Sequence, residues 1–254
     1  MFQWLTERRR KHLLETPFPP AWVEIIDDNV AIASKLDVDQ RKHLHDLAQV
    51  FAAEKHWEGC GGLALTDEMR AVISALAAVL ILARDHSLYE DVDSILVYPD
   101  TMSQPARPQA VFERAGRVVH EGVALLGEAH IGGPVLLAWE DVITQARSHG
   151  SRNVVLHELA HKIDMADGAV DGTPPLDSAS ERHRWAEICT QHFLELRDQA
   201  DRGQHTFLRA YGATNEAEFF AVATEAYFLR GPQLREHHAA LYQLLAAFYR
   251  VELA

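Results

Sequence analysis

The chain has 254 residues, of which 48% are hydrophobic, and a formal net charge of −13 at pH 7. This length and apolar content predict a globular protein with ample material for a core. The negative charge argues against direct binding of nucleic acid or of an anionic membrane surface, because either partner requires a basic face.

The sequence contains only poor matches to a signal peptide or a membrane-spanning helix. The N-terminal segment lacks the uninterrupted apolar core of a signal peptide, because the charged residues 7–11 interrupt it. The most apolar run, at residues 72–83, is shorter than the roughly 20 residues of a spanning helix. The two cysteines, Cys60 and Cys189, are too few for a disulfide framework. We therefore expect no membrane span and a cytoplasmic location.

Hydrophobic periodicity predicts helices on both sides of a small sheet. The predicted helices span residues 38–56, 67–86, 180–202, 215–230 and 233–251. The segments SILVYP, AVFERAGRVVHEG and GPVLLAW, from residue 94 onward, are β-branched or alternating and predict strands. Between them TMSQPARPQA, residues 101–110, is read as a surface connection, with a loop over a cleft as the alternative.

This order of elements predicts one domain over residues 1–254, of α+β class. A helical N-terminal part spans about 1–92, and the part from about 93–254 holds the sheet and the C-terminal helices.

The segment VVLHELAHKID, residues 154–164, places His157 and His161 four residues apart with Glu158 beside the first. Positions four apart share one face of a helix, so two imidazoles there can hold one ion. Glu158 points past that ion toward a water or substrate, which is the arrangement of a hydrolytic zinc site. Asn153 is the predicted N-cap of this helix and Gly168 its stop.

A catalytic zinc normally has three protein ligands and an open position, so a third donor is needed. The stretch YGATNEAEFFAVATEAYF, residues 211–228, offers Glu218 and Glu225. Glu218 could instead form a capping box with Asn215. Glu225 could instead support a metal ligand or form a salt bridge. Asp164 is a candidate acceptor that orients a ligand, with a water-facing position as the alternative.

The segments HELAHKID, AYGATNEAEFFAVATEAYF, VYPD and VLLAW together resemble the Mlc titration factor A family. These bacterial zinc metallopeptidases are similar in active-site layout to the anthrax lethal factor catalytic domain, and the resemblance spans about residues 15–250. It implies a zincin-like fold and one Zn²⁺ held by His157, His161 and Glu218, with Glu158 as the general base. Tyr211 resembles the tyrosine that such enzymes direct at the oxyanion, with a tyrosine packed at a helix start as the alternative. Glu216 stands where the family's P-A-E-x-F pattern has proline.

The resemblance implies a zinc metallopeptidase acting on a peptide or protein substrate, and leaves endopeptidase and aminopeptidase activity open. An extended substrate would pair with the strand in VLLAW, residues 135–139. The alternative function is regulatory: the family also implies a protein that binds and sequesters a transcriptional repressor such as Mlc. A closed structural zinc site is disfavoured, because such sites usually have four protein ligands.

Overall fold

The computed structural model describes residues 2–101 and 133–253, with side chains from residue 4 onward. Ten α-helices occur within these residues. They are α1 (Phe2–Leu14), α2 (Pro20–Asn29), α3 (Val38–Glu54), α4 (Asp67–Leu80), α5 (Trp139–Ala146), α6 (Val154–Asp164), α7 (Ala179–Asp201), α8 (Glu216–Leu229), α9 (Gly231–His237) and α10 (Ala239–Tyr249).

Three short parallel strands form the sheet, in the spatial order β1 (His56–Gly59), β2 (Ser94–Tyr98) and β3 (Val135–Ala138). Trp57 pairs with Ile95, which in turn pairs with Val135. Parallel neighbours need a crossover connection, and α4 supplies it between β1 and β2. In the sheet of described residues, β3 is an edge strand.

The core is centred on α4, whose residues from Ala71 to Leu80 are all buried. Helices α2, α3 and α6 pack against it. Helix α6 packs in turn against α8, in which every residue from Ala217 to Phe228 is buried. A helix that is apolar on all sides belongs in the interior, so any polar side chain on α8 needs a partner there.

The mixture of helices and a small sheet agrees with the predicted α+β class, and the helices α3, α7 and α8 begin and end within two residues of their predicted bounds. The N-cap predicted at Asn153 is confirmed: its side chain accepts the N–H groups of Val155 and Leu156. Gly168, with φ of 91°, ends the 3-10 turn that follows α6.

Several elements differ from the predictions, and α1, α2 and α5 were not predicted as separate helices. The prediction of one helix over 233–251 is wrong, because His238, with φ of −139°, separates α9 from α10. Helix α4 ends at Leu80 instead of continuing to 86, and Trp139 opens α5 instead of ending a strand. Strand β1 was not predicted, because HWEG follows directly on a helix and is too short to show an alternating pattern.

Two predictions concern residues that lie outside the described ones. These are the strand predicted from AVFERAGRVVHEG and most of the connection predicted over residues 101–110. Across residues 2–101 and 133–253, no helix combines the length and the apolar character needed to cross a bilayer.

Candidate metal centre

Helix α6 carries His157 and His161 on the face that packs against α8. Two side chains hold the first turn of α6 in place. Asn153 caps it, and the side-chain oxygen of Gln145 accepts the backbone N–H of Val154. His157 is 7% exposed and His161 1% exposed. The cap therefore determines where two buried imidazoles lie.

Helix α8 brings Glu218 to the same place. Asn215 caps α8 by accepting the N–H of Glu218 at 2.9 Å, while the Glu218 carboxylate turns to the histidines. Its Oε2 lies 3.0 Å from His157 Nε2 and 3.5 Å from His161 Nε2, and the two Nε2 atoms are 3.2 Å apart. Three donor atoms of three buried side chains thus form one small triangle.

The dimensions of this triangle suit zinc. Bonds of about 2.0–2.1 Å at tetrahedral angles place neighbouring donors about 3.3 Å apart. The observed separations of 3.0, 3.2 and 3.5 Å lie on both sides of that value. Two imidazoles and a carboxylate are also a donor set that zinc accepts. His157, His161 and Glu218 could therefore hold a metal ion.

Tyr211 lies in the 3-10 turn before α8, and its hydroxyl donates to Glu218 Oε1 at 2.9 Å. Its ring is 6.0 Å from that of His157, between centroids. One carboxylate oxygen of Glu218 therefore accepts a hydrogen bond from Tyr211, while the other oxygen faces the two histidines.

Glu225 contacts the other side of His157. Its Oε2 lies 3.0 Å from His157 Nδ1 and also accepts a hydrogen bond from Arg209 Nη2. Its Oε1 accepts the backbone N–H of Asn153 at 2.7 Å. This carboxylate therefore joins a histidine, the first turn of α6 and an arginine in one buried network.

Arg209 was missed in the sequence analysis, although a signal existed. A buried glutamate needs a countercharge, and α8 contains no basic residue from Glu216 to Leu229. Arg209, two residues before Tyr211, is the first basic residue upstream of α8.

Glu158 and Asp164 occupy different environments on α6. Glu158 is partly exposed, and burial beside the carboxylates raises its pKa to about 7, against the effect of His157. Asp164 is fully buried, so the water-facing alternative is wrong; burial raises its pKa to about 6, and the Gly172 N–H opposes that shift. His161 Nδ1 has no hydrogen-bond partner among the described residues, so Asp164 acts on it through charge alone.

The pKa values of the central groups reflect their pairing. Burial lowers the pKa of His157, but hydrogen bonds to Glu218 and Glu225 outweigh it and raise the value to about 10. For both glutamates burial raises the pKa, and their bonds to His157 more than reverse that effect. These opposite shifts have one cause, the close contacts between His157 and the two carboxylates.

A small pocket of about 30 Å³ opens beside His157. Its walls include Glu158, Tyr211, Arg152 and Gln145. Such a volume is enough for a water molecule. The predicted base and the predicted oxyanion donor therefore face one space next to the histidine.

Comparison with known proteins agrees with the sequence motifs. A family model described as glucose-regulated metallo-peptidase M90 matches residues 4–250. The uncharacterized protein slr2042 of Synechocystis sp. is 36% identical over 252 residues, covering 98% of this chain and 90% of the relative.

Two further relatives are named Mlc titration factor A. The protein of Serratia proteamaculans is 29% identical over 225 residues, covering 87% of this chain and 84% of its own length. That of Yersinia pestis is 27% identical over 255 residues, covering 98% and 90%. The predicted resemblance is thereby confirmed, and the chain belongs to the glucose-regulated metallo-peptidase M90 family.

Proposed function

We propose that the protein is a zinc-dependent peptidase that hydrolyses peptide bonds by activating water, with Glu158 as the general base. One observation carries this proposal: three buried donor atoms, from His157, His161 and Glu218, are separated by 3.0–3.5 Å. Buried polar groups converge in this way at a cost that a shared cation would offset.

The three side chains would hold one zinc ion and leave its fourth position open, as in catalytic sites. The ion would supply Lewis-acid activation of a water molecule and of the peptide carbonyl. Membership of a metallopeptidase family supports this chemistry.

Glu158 serves as the general base and acid. It follows His157 directly on α6, and both residues line the pocket of about 30 Å³. Its carboxylate takes the proton of the attacking water and returns it to the leaving amine. The Tyr211 hydroxyl donates a hydrogen bond to the developing oxyanion, in place of the hydrogen bond that it donates to Glu218.

Two further acidic groups act on the histidines, one by contact and one by charge. Glu225 accepts a hydrogen bond from the Nδ1–H of His157, and Nε2 would then be free to bind the ion. Asp164 acts on His161 electrostatically from within the same helix. An extended substrate pairs with β3, which is an edge strand in the described sheet.

The test uses the full chain loaded with zinc and a set of fluorogenic peptides, half of them N-terminally acetylated. We expect turnover that a chelator abolishes and zinc restores, with about one zinc per chain by elemental analysis. Activity confined to free N-termini would identify an aminopeptidase. No metal bound after reconstitution would refute the proposal.

Glu158→Gln tests the base. It should retain zinc and the fold while losing roughly 10²–10⁴ in rate, the usual contribution of a general base. The matched control is Glu187→Gln, on the exposed face of α7, which should keep full activity. Turnover retained in Glu158→Gln would remove Glu158 from the mechanism.

A second candidate function comes from the relatives named Mlc titration factor A, a name that points to titration of a repressor. On that proposal the protein sequesters a transcriptional repressor, and Glu158→Gln leaves the binding unchanged. Repressor binding by both forms without peptide turnover by either would favour sequestration over the peptidase.

A further inference from the structure

A second cavity, of about 160 Å³, shares no residue with the pocket at the candidate metal centre. It lies between the first turns of α7, the end of α10 and the loop that precedes α7. Its apolar lining includes Pro175, Leu176, Leu244 and Ala247, together with the largely buried rings of Trp185 and Phe248. An engineered cavity of about 150 Å³ holds a benzene ring, so this space suits a ring-sized apolar group.

Charged side chains surround the mouth of this cavity. Three are arginines, Arg84, Arg184 and Arg250, and two are acidic, Asp177 and Glu181. The rim therefore has a net charge of +1 in a chain with a net charge of −13. A local excess of positive charge favours an anionic partner.

The two acidic groups already have donors. Asp177 Oδ2 lies 3.2 Å from Arg250 Nη2, and the Glu181 carboxylate accepts the N–H of Ser178 in the capping box of α7. Among the described residues, Arg84 makes no ion pair, and its guanidinium lies 4.6 Å from the ring centroid of Phe248. Burial, followed by the charge of Arg250, lowers the pKa of Arg84. An anion beside Arg84 would oppose both effects, in the same direction as Asp177 and Glu181.

Arg250 has an unusual backbone conformation. It follows α10 with φ of 56°, and no other non-glycine residue of the described chain has positive φ. Glycine is the usual residue at such a left-handed helix end, and a side chain there costs about 1 kcal/mol. An arginine at this position places a guanidinium at the cavity mouth, and strain at a binding site is a recognised sign of function.

We propose that this cavity binds a small aromatic carboxylate, with the ring against the apolar lining and the carboxylate between Arg84 and Arg250. Guanidinium groups bind carboxylates through charge-assisted, often bidentate, hydrogen bonds. The ring removes apolar surface of the lining from water, which is favourable.

The test titrates the zinc-loaded full chain with phenylacetate and follows tryptophan fluorescence and ligand-detected NMR. The uncharged analogue phenylacetamide is the matched ligand. We expect saturable binding of phenylacetate with a millimolar or lower Kd, and roughly tenfold weaker binding of the amide. Trp185→Phe should remove the fluorescence change and keep the NMR signal.

Two variants locate the carboxylate. Arg84→Gln removes the charge and the guanidinium that lies over the Phe248 ring, and Arg250→Gly removes the guanidinium of Arg250 while relieving the backbone strain. Each should weaken phenylacetate binding roughly 10–100-fold. Arg235→Gln is the control, because Arg235 lies over the Tyr242 ring, away from the cavity lining.

Three results would overturn the proposal: no saturable binding of phenylacetate, equal binding of the amide, or unchanged binding by Arg250→Gly. Arg250→Gly should fold at least as well as the parent chain, so loss of binding there is not a consequence of unfolding.

Discussion

The buried pair of Arg209 and Glu225 gives a prediction whose size follows from the structure. The Glu225 side chain is 2% exposed and that of Arg209 is 18% exposed. Removing one partner of a buried ion pair costs about 3–5 kcal/mol, because the remaining charge is left without compensation. Glu225 keeps two other partners, Asn153 and His157, so we expect Arg209→Gln to lose about 3 kcal/mol, at the lower end.

Chemical denaturation in the presence of a chelator measures this loss without a contribution from metal binding. For a chain of this size, a loss of about 3 kcal/mol lowers Tm by about 6–12 °C. Adding Glu225→Gln to Arg209→Gln removes the uncompensated charge. The double variant should therefore be more stable than the sum of the two single losses predicts, by at least about 1 kcal/mol.

The control is an exposed ion pair. Arg202 and Asp198 have side chains that are 64% and 56% exposed, so Arg202→Gln should change stability by less than about 1 kcal/mol. The reasoning is refuted if Arg209→Gln costs no more than Arg202→Gln, or if the losses at Arg209 and Glu225 simply add.

Three further predictions concern the elements that hold the candidate site. Glu218→Gln should weaken zinc affinity, in a chelator competition titration, by more than the 10–100-fold expected of Glu225→Gln, and the reverse order would mean that Glu225 is the ligand. Asn153→Ala, which loses two hydrogen bonds at the start of α6, should cost about 1–2 kcal/mol and Asn153→Ser much less, whereas equal unfolding midpoints would exclude the cap as the cause. Gly172→Ala should destabilise the chain by more than about 1 kcal/mol, because φ is 76° and a methyl group would clash with the Glu216 carbonyl; an unchanged Tm would contradict that geometry.

The sequence predicted the elements of the site better than their connections. The HExxH spacing and the Asn153 cap act within one helix, where periodicity and capping rules apply directly. The bond from Glu225 to the Asn153 N–H joins residues 72 positions apart, and no local pattern contains it. Arg209 is a different case, because it lies only 16 positions before Glu225 and the lack of a basic residue on α8 pointed to it.

The strands show a similar limit. SILVYP is recognisable as β2 because it is a run of β-branched and other apolar residues, and in the structure burial alternates along it, with Ile95 and Val97 buried. HWEG has one buried side chain, Trp57, and its strand exists because β2 offers a parallel edge beside it. Pairing with a distant segment therefore determines that these four residues form a strand, which their own sequence does not indicate.

The complete burial of α8 has a consequence for how the protein opens. Amide hydrogens in a helix with no solvent-facing side exchange only when the surrounding core separates, so residues 217–228 belong with the last segments to exchange. The carboxylates of Glu218 and Glu225 are carried by that slow-exchanging unit. Fraying of the chain ends would leave them in place, and the candidate centre would be lost only with the cooperative unfolding of the core.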